Sequence, residues 1–436
     1  MINPSSIDIY TAGIAGVVVI GFIGDIISKR TGFPSIVWLL AFGIILGPVL
    51  GVLSKSLLIG LSPIVSTLVL LIVIFNAGLR LNIYQFIRSL SRTSLLAVFN
   101  FTMAAVAAIL VMLIFRFSLI DALLMGVIVG GTSAAVIPLI SKEAKMSNQS
   151  KNLVTVESIL TDPIGIVLTL AIINIILLKD YSVSFAISSV ISSFSIAIVL
   201  GVIAGFIWVP IMGYLQKDKY EYSYAGSISV AFLIFIIVQY LNGSGPIAAL
   251  IFGIIVSNGE EIFKWFRYKD VRNFTMTSES KRFNNLITFF TSAFFFVYLG
   301  ALVSFSDVYA MLIGAGIAAA LIIARFISTP IALARSQYTE QDKINASYMV
   351  SRGMGAGVLA TLPIAYGISG TGSFINIIFV VIVATIIFNS VAALVSSIKE
   401  KRGTSDTKSG GQDSKPVGVQ QVQNLEREPP TRKVVG

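Results

Sequence analysis

The stretch Glu157-Ser158-Ile159-Leu160-Thr161-Asp162-Pro163 sets two carboxylates inside a run that is otherwise apolar from Asn152 to Leu178. An ionised group buried that deep in a bilayer costs about 2.5–3.5 kcal/mol on insertion scales, so each acid needs a partner or a function. At about 100° per residue, Ser158 and Asp162 stack on one face of a helix and Glu157 with Thr161 on another, about 140° away. A rise of about 1.5 Å per residue puts Asp162 about 16 Å from Asn152, near mid-depth. Pro163 has no N–H, which leaves the Ile159 carbonyl free for a cation or water. A mid-depth carboxylate beside a hydroxyl and a spare carbonyl is half of a hard-cation shell.

The rest of the chain supplies the membrane. Of 436 residues, 56% are hydrophobic and only 12% charged, a composition that a water-exposed globular surface does not present. Thirteen apolar segments fit a hydrocarbon core about 30 Å thick: Ile7–Ser28, Pro34–Leu53, Leu57–Leu79, Thr93–Phe115, Asp121–Ile140, Asn152–Leu178, Ser184–Tyr214, Ser223–Tyr240, Gly245–Ser257, Phe283–Ser304, Asp307–Ala334, Asn345–Tyr366 and Ser373–Ile398. The expected fold is therefore an all-α polytopic membrane protein of about thirteen transmembrane helices; the short ninth and long seventh segments leave twelve or fourteen open, and the census of loop charges argues for an odd number. With 0 His and 0 Cys, disulfides, thiol catalysis, imidazole proton relays and sites built on those ligands are excluded. No cofactor is expected, and protons must be carried by carboxylates.

Of the 31 Lys and Arg, the alternate loops hold only Lys55, Arg116 and Lys179. Basic residues mark the cytoplasmic side, so the N-terminus is expected outside and the C-terminus inside a cell membrane. The net charge of +10 is thus a topology signal and not evidence of a nucleic-acid partner. No cleavable signal peptide is evident at the N-terminus. Glu260–Phe274 interleaves aromatic and basic residues and suits the cytoplasmic interface or a solvated connector. Residues 399–436 turn polar and read as a disordered cytoplasmic tail.

Two segments interrupt their own helices. Gly130-Gly131-Thr132-Ser133, followed by Pro138, breaks the fifth span, and Ser351-Arg352-Gly353-Met354-Gly355-Ala356-Gly357, followed by Pro363, breaks the twelfth. Paired Gly/Pro interruptions in corresponding places point to inverted repeats whose broken helices cross at a midplane ion site; the alternative is that the glycines only allow close helix packing. Spans four to six and eleven to thirteen would be the repeats. Asp25, next to Lys29 and Arg30, reads as structural. Arg325, about 15 Å from Arg335, matches the acids in depth, and Glu157 is its natural partner. Such a pair is structural first and leaves Asp162 as the uncompensated titratable group.

Glu157-Ser-Ile-Leu-Thr-Asp162-Pro resembles the Glu-Ser-x-x-Asn-Asp signature of monovalent cation/proton antiporters of the NhaP-like, electroneutral branch. Ile74-Phe-Asn-Ala-Gly-Leu-Arg-Leu-Asn82 is similar to that family's Phe-Glu-Gly-Gly-Leu element, Gly130-Gly-Thr132-Ser133-Ala to its Thr-Asp-Pro turn, and Arg325 with Arg352-Gly353 to its late arginines. The resemblance covers all thirteen spans. It implies a transmembrane antiporter domain over 1–398, a homodimer working by alternating access, with a transport core at 93–178 and 307–398 and mainly dimerisation and linking helices at 1–92 and 184–304. By that resemblance Asp162 binds cation and proton, Ser158 is a side-chain ligand, Thr132 is a ligand on the unwound helix, and Glu157 with Arg325 is the stabilising pair. In this chain Thr161 stands where the family has Asn, Ser133 where the turn has Asp, and Asn76 where the third span has an acid. Ser133 and Thr161 join the candidate ligands, and Asn76 and Arg352 are candidate accessory residues.

Protonation and cation binding neutralise the same carboxylate, so each excludes the other. One carboxylate exchanging one proton for one monovalent cation moves no net charge. The expected activity is electroneutral 1:1 Na⁺/H⁺ exchange, with Na⁺ held by Asp162, Ser158 and Thr132, and with Li⁺ or K⁺ as other cargo. K⁺/H⁺ exchange is the close alternative. Cation-coupled uptake of an organic solute would need more polar groups than the core offers, and an intramembrane enzyme would have no evident catalytic residues. A channel fits one occluding carboxylate less well than an exchanger does.

Overall fold

The computed structural model describes residues 6–53, 55–81, 92–133, 136–143, 146–178, 183–217, 223–265, 278–334, 336 and 338–409. Among them the regular structure is entirely helical. In chain order the helices are α1 (Ser6–Thr31), α2 (Ser35–Ile44), α3 (Lys55–Arg80), α4 (Arg92–Ile114), α5 (Leu119–Gly130), α6 (Ile137–Glu143), α7 (Asn148–Leu177) and α8 (Val183–Lys217). Then come α9 (Ser223–Tyr240), α10 (Gly245–Ser257), α11 (Gly259–Trp265), α12 (Ser278–Leu302), α13 (Val308–Ala332), α14 (Glu340–Tyr348), α15 (Met354–Ala365) and α16 (Phe374–Ser409).

Among the described residues seven helices, α3, α4, α7, α8, α12, α13 and α16, hold stretches long and apolar enough to cross a membrane, and shorter apolar helices accompany them. These apolar stretches are helical because no water satisfies backbone groups in a bilayer, which only internal hydrogen bonding can do. The expected second span is α2 prolonged by one π-helical turn, Ile45–Val49, which holds Pro48. The expected ninth span is the 13-residue α10, which bends by 74° into α11. Helix α11 carries the start of the aromatic and basic stretch, whose remainder, 266–274, lies outside the described residues. The last helix runs past the expected end at Ile398 to Ser409, because Lys399-Glu400-Lys401-Arg402 are good helix formers that continue its pattern. Residues 410–436 lie outside the described residues.

Two packing groups meet at the middle of the molecule. Helices α4, α5, α7, α13 and α16 pack on one another, while α1, α2, α3, α8, α10 and α12 form a second group. Helix α15 touches both, packing on α3 and on α16. Where α2 crosses α12 the backbones are in contact: a Cβ on Gly43 would overlap the Val297 carbonyl, and one on Gly300 the Leu40 carbonyl. Glycine is required at that crossing by close approach.

Candidate functional site

The two interrupted helices do cross. Helix α5 stops at Gly130 and α6 starts at Ile137, while α14 stops at Tyr348 and α15 starts at Met354. In the gap the Ser133 N–H donates to the Ser351 carbonyl at 3.0 Å. A Cβ on Gly353 would overlap Ser133 Oγ, so the crossing needs glycine for space. The freed backbone groups find other partners, as hydrocarbon demands. The Arg352 N–H donates to Thr385 Oγ1 at 3.1 Å and the Val350 N–H to Asn389 Oδ1 at 3.2 Å. The Arg352 guanidinium donates to the carbonyls of Val129 and Val350. It thereby sits on the carbonyl end of α5, where a cation is favoured, and it does not line the central cavity.

Glu157 and Arg325 face each other in the core. Arg325 Nη1 and Nη2 fork onto the two carboxylate oxygens of Glu157, the second at 2.7 Å. Arg325 also donates from Nε and Nη2 to the Ala346 carbonyl at 3.1 and 2.9 Å. Asn100 Nδ2 donates to Glu157 Oε1 at 3.2 Å and is 3.4 Å from Thr329 Oγ1. A buried pair is tolerated when its remaining donors and acceptors are filled in this way. Nothing in the sequence beyond a lone Asn in an apolar helix signals Asn100, and a main-chain acceptor at Ala346 has no sequence signal at all.

Asp162 is placed differently. It lines a cavity of about 560 Å³ together with Asn76, Gly131, Thr132, Ser133 and Thr161. Among the described residues no hydrogen bond or ion pair to its carboxylate is formed. Its Oδ1 lies 3.6 Å from where a Cβ on Gly355 would stand, beside the first turn of α15, whose free N–H groups favour an anion. The Thr132 N–H donates to Thr161 Oγ1 at 3.3 Å, and Ser158 Oγ donates to the Thr132 carbonyl at 2.7 Å. Ser158 is fully buried and is not part of the cavity lining, so its hydrogen is committed to the unwound backbone. Asn76 Nδ2 donates to Thr288 Oγ1 at 3.1 Å, and its Oδ1 has no hydrogen-bond partner among the described residues. Of the sequence-derived candidates, the structure brings Asp162, Thr132, Ser133, Thr161 and Asn76 to one cavity, and it keeps Ser158, Glu157, Arg325 and Arg352 behind that wall.

A polar knot braces the start of α7. Asp342 on α14 accepts from Ser150 Oγ at 2.6 Å, from Ser147 Oγ, and from Thr339 Oγ1 at 2.7 Å, completing a capping box with Thr339. Burial would raise this carboxyl, but the hydrogen bonds from Ser147, Ser150 and Thr339 outweigh it and hold the pKa down at about 2. Lys29 pairs with Asp25 at 2.7 Å, and both side chains line the mouth of the cavity with Arg80 and Lys142.

The family described as "sodium/hydrogen exchanger, transmembrane" matches residues 15–394. The chain is similar to the K(+)/H(+) antiporter NhaP2 of Shewanella sp. (strain ANA-3), 25% identical over 372 residues, covering 83% of this chain and 62% of that protein. It is also similar to the probable Na(+)/H(+) antiporter 2 of Methanocaldococcus jannaschii, 26% identical over 294 residues, covering 64% of this chain and 65% of that one. The chain thus spans less than two thirds of the length of these relatives. In fold it is similar to the sodium proton antiporter MjNhaP1 from the same archaeon at pH 8, with a TM-score of 0.72 and 19% identity, covering 89% of this chain and 98% of that one.

Proposed function

We propose a function from one premise: the chain belongs to the sodium/hydrogen exchanger family, as a multi-pass membrane protein with two crossed broken helices. It exchanges a monovalent cation for a proton by alternating access, with Asp162 as the shared site. The observation that carries this reading is the contrast between two buried acids five residues apart. Glu157 is fully engaged by Arg325 and Asn100, whereas Asp162 has no partner among the described residues and faces the cavity. A carboxylate left unpaired at such depth is costly unless a proton or a cation neutralises it. Thr132, Ser133, Thr161 and backbone carbonyls of the break would complete the shell, with Ser158 holding the Thr132 carbonyl in position from behind the cavity wall.

The cargo is Na⁺, and one cation replaces one proton. A second reading, K⁺/H⁺ exchange, is favoured by the name of the NhaP2 relative. The basic loops support an outside N-terminus and an inside C-terminus in a cell membrane. The packing of α4, α5, α7, α13 and α16 against one another supports a transport core of 93–178 and 307–398 moving on a scaffold of 1–92 and 184–304. That scaffold would hold two copies together as a homodimer. The physiological role is control of pH and cation content. A proteoliposome assay with an internal pH dye, pulsed with Na⁺, Li⁺ or K⁺, tests the reading: alkalinisation with Na⁺ supports it, a response to K⁺ alone selects the second reading, and no response to any of the three overturns both.

A further inference from the structure

The cavity that leads to Asp162 is lined, at its open end, by the wrong sign of charge for a cation path. Among the described residues its charged lining consists of Asp25 and Lys29 on α1, Arg80 at the end of α3, Lys142 on α6 and Asp162 on α7. Asp25 and Lys29 cancel as an ion pair. Arg80 and Lys142 are exposed and form no ion pair among the described residues. The faces that α12 and α15 turn to the cavity carry no charged residue. Glu157 and Arg325 neutralise each other behind the wall, and Arg352 is committed to backbone carbonyls. At the other end of α3 a second vestibule of about 570 Å³ is lined by one base, Lys55, and one acid, Asp307. The two pockets therefore differ in charge.

We propose that Arg80 and Lys142 form a positive collar at the mouth of the Asp162 cavity that weakens cation capture from that side and so sets the concentration range in which exchange runs. The inference rests on the exchange function proposed above. Fixed charge in a cleft depletes ions of its own sign. A sphere of the cavity's volume is about 10 Å across, and at that separation in water each unit charge changes a monovalent ion's local concentration about twofold. The effect belongs to charge and not to shape, so salt must erase it: the Debye length is about 30 Å at 0.01 M and about 3 Å at 1 M.

The test measures KM for the metal cation at fixed alkaline pH in everted and right-side-out membrane vesicles, with N-methylglucamine chloride setting the ionic strength. Near 0.01 M, Arg80→Gln and Lys142→Gln should each lower KM about twofold and the double variant about fourfold, with kcat little changed. The change should appear in only one of the two vesicle preparations, vanish near 1 M salt, and be absent in Arg80→Lys. KM equal to wild type in both preparations, or a shift that persists at high salt, overturns the collar while leaving exchange intact. Wild-type vesicles that exchange no cation for protons overturn the proposed function, and the collar with it.

Discussion

Arg325 on α13 reaches across 168 residues of sequence to fork onto Glu157 of α7, and the same guanidinium holds the Ala346 carbonyl at the end of α14. One side chain thus ties together three helices, α7, α13 and α14. Its charge is cancelled, but its hydrogen bonds fix where α7 stands relative to the break between α14 and α15.

Removing one partner strands the other as a buried charge, at about 3–5 kcal/mol. Glu157→Ala and Arg325→Ala should each lower yield and melting temperature more than Asp162→Ala does. The double variant should recover part of the loss. Thermal unfolding of the purified proteins in detergent checks this, and single variants as stable as wild type would show that the pair does not brace the core.

Asp162→Asn should abolish exchange and leave an assembled protein, because Asn cannot alternate between a proton and a cation, whereas no ion pair is broken. Gly355→Val should impair transport by a different route, since its side chain would occupy the space next to Asp162 Oδ1, 3.6 Å from the Cβ position. Dye responses of reconstituted variants decide both. Wild-type-like exchange by Asp162→Asn would remove this residue from the mechanism.

Transport should be insensitive to membrane potential. Asp162 is neutral when protonated and neutral when it holds a cation, and the Glu157–Arg325 and Arg352 charges stay constant through the cycle. A second titrating carboxylate would add about 2.3 kcal/mol per elementary charge per 100 mV. Proton flux driven by Na⁺, measured with liposomes clamped at zero and at about −100 mV by K⁺ and valinomycin, should therefore be equal. A severalfold difference would point to Glu157 as the further moving charge.

Asp342 gives a stability term with a definite pH window. Its folded pKa of about 2 is below the unfolded value of about 3.9. The ionised group therefore stabilises the fold above about pH 4, by about 2 kcal/mol, and that stabilisation disappears as pH falls through about 2. Asp342→Asn should melt below wild type at neutral pH, and the gap should narrow from about pH 4 downward. A gap independent of pH would mean that shape, and not the carboxylate's hydrogen bonds from Ser147 and Ser150, sustains the knot.

The sequence by itself determined what depends on neighbours along the chain. Apolar runs dictate helices because a bilayer leaves no other way to satisfy the backbone. Gly130-Gly131 and Gly353 with Gly355 mark the two breaks because glycine weakens a helix locally. The depth of Glu157, Asp162 and Arg325 follows from helical rise alone. The tertiary structure decided how those side chains are used. Glu157 is legible as the partner of Arg325 from depth and charge, whereas the second partner of Arg325 is the Ala346 main-chain carbonyl, which has no residue signature. Ser158 shares a helix face with Asp162 in sequence, yet its hydroxyl turns to the Thr132 carbonyl, because the unwound backbone beside it has an acceptor to satisfy. Arg80 and Lys142 read as loop charges marking one side of the membrane, and only the packing of α3, α6 and α7 around one cavity puts them on the path to Asp162. Such contacts join residues far apart in the chain, and their energies depend on relative helix position, which no local pattern encodes.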